Sequence, residues 1–191
     1  MPKMLSTEKI KEILSHPNTL TLFRIAVVPG IVILLMFPNG FCSFVAALLF
    51  SVAAITDYFD GFYARQLGLV SELGKIMDPV ADKLLVSSSL IMLSSLNWIP
   101  AWVACIIIGR ELAVSGLRNV ISGKGEDLSA SNLGKYKTGF QIAALIPLMI
   151  HYEYIGINFH VIGMVFLWLA LIFTIYSGAD YFIRFKRYYI N

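Results

Sequence analysis

Four aspartates stand at spacings that suit metal-assisted chemistry. Asp57 and Asp60 lie in Thr56-Asp57-Tyr58-Phe59-Asp60-Gly61, and Asp78 and Asp82 lie in Met77-Asp78-Pro79-Val80-Ala81-Asp82-Lys83. Residues three or four apart share a helix face, so each pair presents two carboxylates together if its segment is helical. Oxygen-only ligands select hard divalent cations such as magnesium or manganese. Four carboxylates suit two ions that clamp a phosphate group and its leaving oxygen. Helix capping is the plainer account, since Asp78 followed by Pro79 makes a good helix start. It covers one aspartate of the four.

The elements that must position these acids are apolar. The 191-residue chain is 58% hydrophobic and 14% charged, against about 25% charged in a soluble domain. Six apolar runs, at approximately 19–37, 41–60, 79–97, 99–121, 135–152 and 157–183, each approach the ~20 residues that a helix needs to cross the hydrocarbon core. Only helices satisfy their own backbone in lipid as single segments. The expected fold is therefore all-α, a polytopic membrane protein of six transmembrane helices. Ahead of the first run, Ile10, Ile13 and Leu14 fall opposite Lys9, Lys11 and Glu12. That pattern predicts a short amphipathic helix within 1–17, lying on the bilayer surface, and no cleavable signal peptide. No linker, repeat or low-complexity stretch breaks the chain, which predicts one domain over 1–191. Asp57/Asp60 end the second run and Asp78/Asp82 begin the third, across a loop of about 17 residues. Antiparallel neighbours so joined would bring all four acids together near one membrane boundary.

Charge distribution sets the sidedness. The turns Phe37–Ser43, Ser95–Ala101 and His151–Asn158 contain no Lys or Arg. The opposite side holds Lys3, Lys9, Lys11, Arg65, Lys75, Arg118, Lys124, Lys135, Lys137, Arg184, Lys186 and Arg187. By the positive-inside rule that side, with both termini and the acids, is cytoplasmic. An aspartate at a helix centre costs about 2.5–3.5 kcal/mol in lipid, and crowded anions repel. Arg65 and Lys83 are too few to neutralise four acids, so bound cations are expected. A net charge of +3 gives no reason to expect nucleic acid. Cys42 and Cys105 make no metal spacing and read as packing residues, and His16, His151 and His160 form no cluster.

Written as a string, the acid region is Asp57-x2-Asp60-Gly61-x2-Ala64-Arg65-x8-Gly74-x3-Asp78-x3-Asp82. It closely resembles the signature of the CDP-alcohol phosphotransferases. Eight fixed positions would coincide by chance about once in 10⁹–10¹⁰ starts, and the six-span pattern extends the resemblance over essentially the whole chain. The resemblance implies two Mg2+ or Mn2+ ions. Asp57 and Asp78 would bridge both, Asp60 would bind one and Asp82 the other, with Asp82 also the general base. It implies a CDP-diacylglycerol site at Gly61, Gly74 and Arg65, with Ser71 a weaker candidate. It adds Asn18, Thr21 and Arg24, an Asn-x2-Thr-x2-Arg string in the first run. Arg24, a charge within an apolar run, is a functional hint by itself, with snorkelling to the interface as the alternative.

A second group of bases suggests that the acceptor alcohol carries phosphate. Arg110 and Arg118 lie eight residues apart, and Lys135 and Lys137 start the fifth run. The positive-inside rule explains some of these, and less readily Arg110 beside Glu111. The strings resemble the branch of the family that uses sn-glycerol 3-phosphate. That implies transfer of a phosphatidyl group from CDP-diacylglycerol to glycerol 3-phosphate in a bacterial-type inner membrane. Inositol phosphate, serine or phosphatidylglycerol remain alternative acceptors, and a small transporter is the alternative of a different class. A homodimer is expected mainly from the resemblance, with Ala26, Gly30, Gly163 and Ala170 as small packing surfaces.

Overall fold

The computed structural model describes residues 17–67, 72–122 and 132–186, with side chains placed over 21–56, 77–121 and 134–186. The expected surface helix, His16 and Ser71 fall outside the described residues. So do the side chains of Asn18, Asp57, Asp60, Gly61, Arg65 and Gly74, whose backbones are helical.

Six helices are present among the described residues: α1 (Pro17–Met36), α2 (Gly40–Leu67), α3 (Glu72–Ser95), α4 (Ala101–Ser122), α5 (Asn132–Ile150) and α6 (Phe159–Arg184). They match the six apolar runs in order. Two differences bear on the site. α2 continues to Leu67 and α3 begins at Glu72, so helix occupies most of the span expected as a 17-residue loop, and residues 68–71 lie outside the described residues. All four aspartates therefore lie inside helices. Asp78 is not a helix cap, because Pro79 falls within α3. An apolar run stops at the first charge, whereas a helix continues wherever polar side chains find partners.

Local chemistry explains the ends. Asn39 Oδ1 accepts a 2.9 Å hydrogen bond from the Cys42 amide and caps α2, and Asn158 Oδ1 accepts from the Val161 amide and caps α6. Between α5 and α6 runs a small antiparallel hairpin, β1 (Glu153–Tyr154) and β2 (Ile157–Asn158). Its two turn residues, Ile155 and Gly156, both have positive φ, the backbone that twists a two-residue hairpin correctly. Four strand residues are too few to register as a periodic pattern in the sequence.

The chain forms two compact units, Met1–Ser89 and Leu90–Asn191. In the first, Val27, Ile31 and Leu35 of α1 make a buried stripe at helical spacing, as do Ala46, Ala47, Phe50 and Ala53 of α2. In the second, α5 and α6 pack closely enough that a Cβ on Gly163 would fall 2.6 Å from Leu148 Cγ and 2.8 Å from its backbone nitrogen. Gly163 and the fully buried Ala170 thus serve packing within the chain, and not the dimer surface expected of them. The histidine expectation is also corrected. His151 and His160 rings lie 4.8 Å apart, with Trp98 stacked on His151. Trp98 is distant from both in sequence, and it meets His151 only because the helix ends do.

α6 shows how these helices treat solvent. Gly163, Leu167, Ala170, Thr174, Ser177 and Tyr181 form its buried stripe. The opposite stripe is exposed but apolar: Val161, Val165, Trp168, Ile172, Ile175 and Ile183. A helix against water would carry polar residues there. Among the described residues α6 is the one helix long and apolar enough throughout to cross a membrane. Shorter apolar stretches occupy Thr21–Met36 and Gly40–Thr56.

Candidate functional site

The first unit holds an acidic cluster built from α1 and α3. Thr21 and Arg24 are three residues apart on one face of α1, and both are buried. Asp78 and Asp82 are four apart on one face of α3. Thr21 Oγ1 donates to Asp78 Oδ1. The Arg24 guanidinium bridges both acids, with Nη2 3.2 Å from Asp78 Oδ1 and Nη1 donating to Asp82 Oδ1. The Arg24 side chain is 3% exposed, whereas Asp78 and Asp82 keep 44% and 46%. The cation is enclosed while the carboxylates retain an open side.

This arrangement answers why a charge stands in the apolar run of α1. A buried guanidinium is tolerated only when paired and hydrogen-bonded, and Arg24 finds two carboxylates. Snorkelling to the interface, the alternative account, does not describe a side chain so enclosed. Sequence reasoning placed Thr21 and Arg24 beside the nucleotide and named Arg65 and Lys83 as the nearby bases. It missed that Arg24 is the direct counter-ion of Asp78 and Asp82. The shared helical spacing of the two strings was the available signal.

The donor set fits a hard cation. Asp78 and Asp82 offer carboxylate oxygens alone, and one arginine against two aspartates leaves the pair net negative. Asp57 and Asp60 sit one turn apart in α2 and would deepen that excess. Among the described residues no three His, Cys, Asp or Glu side chains gather, and two of the four candidate ligands lie beyond that description.

The second unit holds a basic cluster on α4, α5 and α6. Arg110 Nη2 donates to Ser177 Oγ at 2.9 Å, and its Nη1 lies 3.2 Å from Glu111 Oε1. Lys137 Nζ pairs with the same Glu111 oxygen. Lys137 is 3% exposed, a very low value for lysine, a residue almost never fully buried unless paired. Arg118 donates to the buried Tyr181 hydroxyl at 2.9 Å and lies over its ring. Gly178 leaves room for the Arg110 stem, since a Cβ there would approach Arg110 Cγ to 3.1 Å. Buried donors remain without protein partners at Arg110 Nε, Gln141 Nε2 and Thr174 Oγ1. Such groups are rare in native proteins.

Of the four bases expected to act together, Arg110 and Lys137 converge on Glu111, and Arg118 engages the same helix α6 one turn beyond Ser177. Lys135 is exposed. Two residues from Lys137, it points from the other side of α5, since i and i+2 do not face each other. Glu111, Ser177, Gly178 and Tyr181 were not identified from sequence. The signal available was the small and polar stripe Thr174, Ser177, Gly178, Tyr181 at helical spacing within an apolar helix.

Comparison with known proteins adds an independent finding. A family model described as CDP-alcohol phosphatidyltransferase matches residues 14–176. The CDP-diacylglycerol–glycerol-3-phosphate 3-phosphatidyltransferase of Bacillus subtilis (strain 168) is 42% identical, over 87% of this chain and 92% of its own. The protein of that name from Rickettsia typhi is 40% identical, over 91% and 98%. The one from Shigella flexneri serotype 5b is 38% identical, over 86% and 95%.

Proposed function

As the chain belongs to the CDP-alcohol phosphatidyltransferase family, we propose that it is the enzyme that transfers a phosphatidyl group from CDP-diacylglycerol to sn-glycerol 3-phosphate. The products are phosphatidylglycerol phosphate and CMP. The observation that carries this reading is a pair of oppositely charged clusters, one acidic and one basic, built mainly from residues within the family match. Asp78 and Asp82 are gathered by Thr21 and Arg24, and the buried Lys137 and part-buried Arg110 meet on Glu111.

In the donor half, Asp57, Asp60, Asp78 and Asp82 would hold two Mg2+ or Mn2+ ions. When bound, these ions would neutralise the pyrophosphate and the departing CMP. Arg24 and Thr21 hold Asp78 and Asp82 in place. Arg65 would pair with the pyrophosphate, and Gly61 and Gly74 would allow close backbone approach to the nucleotide. Asn18 and Ser71 complete the proposed donor site. Asp82 takes the proton from the C1 hydroxyl of glycerol 3-phosphate. That oxygen forms a bond to the phosphorus bearing diacylglycerol, and the bond from that phosphorus to the CMP oxygen breaks. Arg110, Arg118 and Lys137 bind the acceptor's phosphate, and exposed Lys135 adds to the local positive field.

The bilayer is the proposed solvent. Six spans, with both termini and the chemistry on the cytoplasmic side of a bacterial inner membrane, account for the apolar exposed stripe of α6 and for the one-sided Lys and Arg. The diacyl tails of the donor would then remain in the lipid. A homodimer is part of the proposal, with exposed Ala26 of α1 still available to a second copy.

The test is CMP release by the purified protein. Release from CDP-diacylglycerol should require both glycerol 3-phosphate and a divalent cation. Faster release with inositol phosphate, serine or phosphatidylglycerol would reassign the acceptor. Release independent of any acceptor would reject the transfer.

A further inference from the structure

A carboxylate is an odd occupant for a phosphate site, because it repels the ligand. Yet Glu111 accepts from Arg110 of α4 and Lys137 of α5 through a single oxygen. We propose that Glu111 is the positioning residue of the acceptor site, an internal counter-anion that holds these two cations ready for the phosphate of the incoming alcohol. The proposal rests on reading this cluster as the acceptor site.

Three observations carry it. First, the cations are enclosed: the Lys137 side chain is 4% exposed and that of Arg110 13%. Two enclosed like charges repel, and the Glu111 oxygen they share is the anion that offsets this repulsion. Second, Arg110 is held at both ends, by Glu111 and by the fully buried Ser177, and its stem runs over Gly178. A guanidinium fixed in this way is set before the ligand arrives, which removes ordering cost from binding. Third, the charge count suits a dianion. Arg110, Arg118 and Lys137 against Glu111 leave a surplus of two positive charges, enough to take a phosphate dianion without excess. The unpartnered Arg110 Nε and Gln141 Nε2 are donors still available when the phosphate binds. Gln141 follows Lys137 by four residues and so shares its helix face.

Glu111 therefore acts through its neighbours and touches no reacting atom. The experiment compares steady-state CMP release by the full-length protein and its Glu111→Gln, Glu111→Asp, Lys137→Met and Glu111→Gln/Lys137→Met variants in mixed micelles. Glu111→Gln should raise the KM for glycerol 3-phosphate about tenfold, the loss of one charged contact. The KM for CDP-diacylglycerol and the kcat at saturating acceptor should stay within about twofold. Glu111→Asp, which keeps the charge, should recover part of the affinity. The double variant should raise the acceptor KM by less than the product of the two single effects, because part of the carboxylate's action passes through that lysine. If Lys137→Met raises the acceptor KM and Glu111→Gln does not, the positioning role is wrong while the site stands. The same holds if Glu111→Gln affects both substrates equally. If Lys137→Met leaves the acceptor KM unchanged, the site itself is misassigned and Glu111 has nothing to position. Should Glu111→Gln not fold, Glu111→Asp against Lys137→Met decides by the same split between the two KM values.

Discussion

The two clusters are inverse images of each other. In the first unit, two half-exposed carboxylates on α3 surround one enclosed cation, Arg24. In the second, three cations on α4 and α5 are organised by one carboxylate, Glu111, and by hydroxyls of α6. In each, the minority charge is a scaffold and the majority charge is left in surplus. A negative excess on oxygen donors suits a cation, and a positive excess suits an anion. Neither cluster would be stable for its own sake, since buried ion pairs contribute little net stability. Their retention in apolar helices points to binding.

The inversion makes separable predictions. Changes in the acidic cluster should act on turnover, and changes in the basic cluster on acceptor affinity. The largest effect is expected for Asp82→Asn, which removes the proposed base while keeping the side-chain shape. Its kcat should fall about 10³-fold with the KM for glycerol 3-phosphate nearly unchanged. Arg24→Met leaves Asp78 and Asp82 without their counter-ion. Misplacement of the carboxylates should lower kcat/KM about 10²-fold, with a lower Tm measured by differential scanning fluorimetry. In the second unit, Lys137→Met should raise the KM for glycerol 3-phosphate by about 10–100-fold, with kcat at saturation largely kept. The smallest effect is expected for Gly178→Ala. Its Cβ would sit 3.1 Å from Arg110 Cγ, a displacement of a few tenths of an ångström that should raise the acceptor KM about threefold. A variant of one cluster that produced the kinetic pattern of the other would break the division.

Much of this was legible in the sequence, and the misses share a physical cause. Helices α1 to α6 were visible because long apolar runs allow few structures. Their ends were less visible at α2 and α3, where helix continues through Asp57, Asp60, Arg65 and Lys75. The acid string stood out, because four aspartates in an apolar chain need a reason. Its counter-ion did not, for Arg24 stands 54 and 58 residues from its partners. Nothing local distinguishes Glu111 from an ordinary helix carboxylate until Lys137 is seen against it. The unequal fates of Lys135 and Lys137 were readable from helical spacing alone, since two residues turn a side chain to the other side. Gly163 offered a small surface in the sequence, but whether α5 or a second copy fills it depends on tertiary packing.

The central claim, that the acids of α2 and α3 exist to hold divalent cations, is tested most directly by counting them. Titration of the purified protein with Mn2+, followed by the electron paramagnetic resonance of the unbound ion, should show about two ions per chain. Binding should be lost in Asp57→Asn and Asp78→Asn, and CMP release should stop on chelation and return with added metal. No detectable Mn2+ binding, together with undiminished CMP release after chelation, would contradict it.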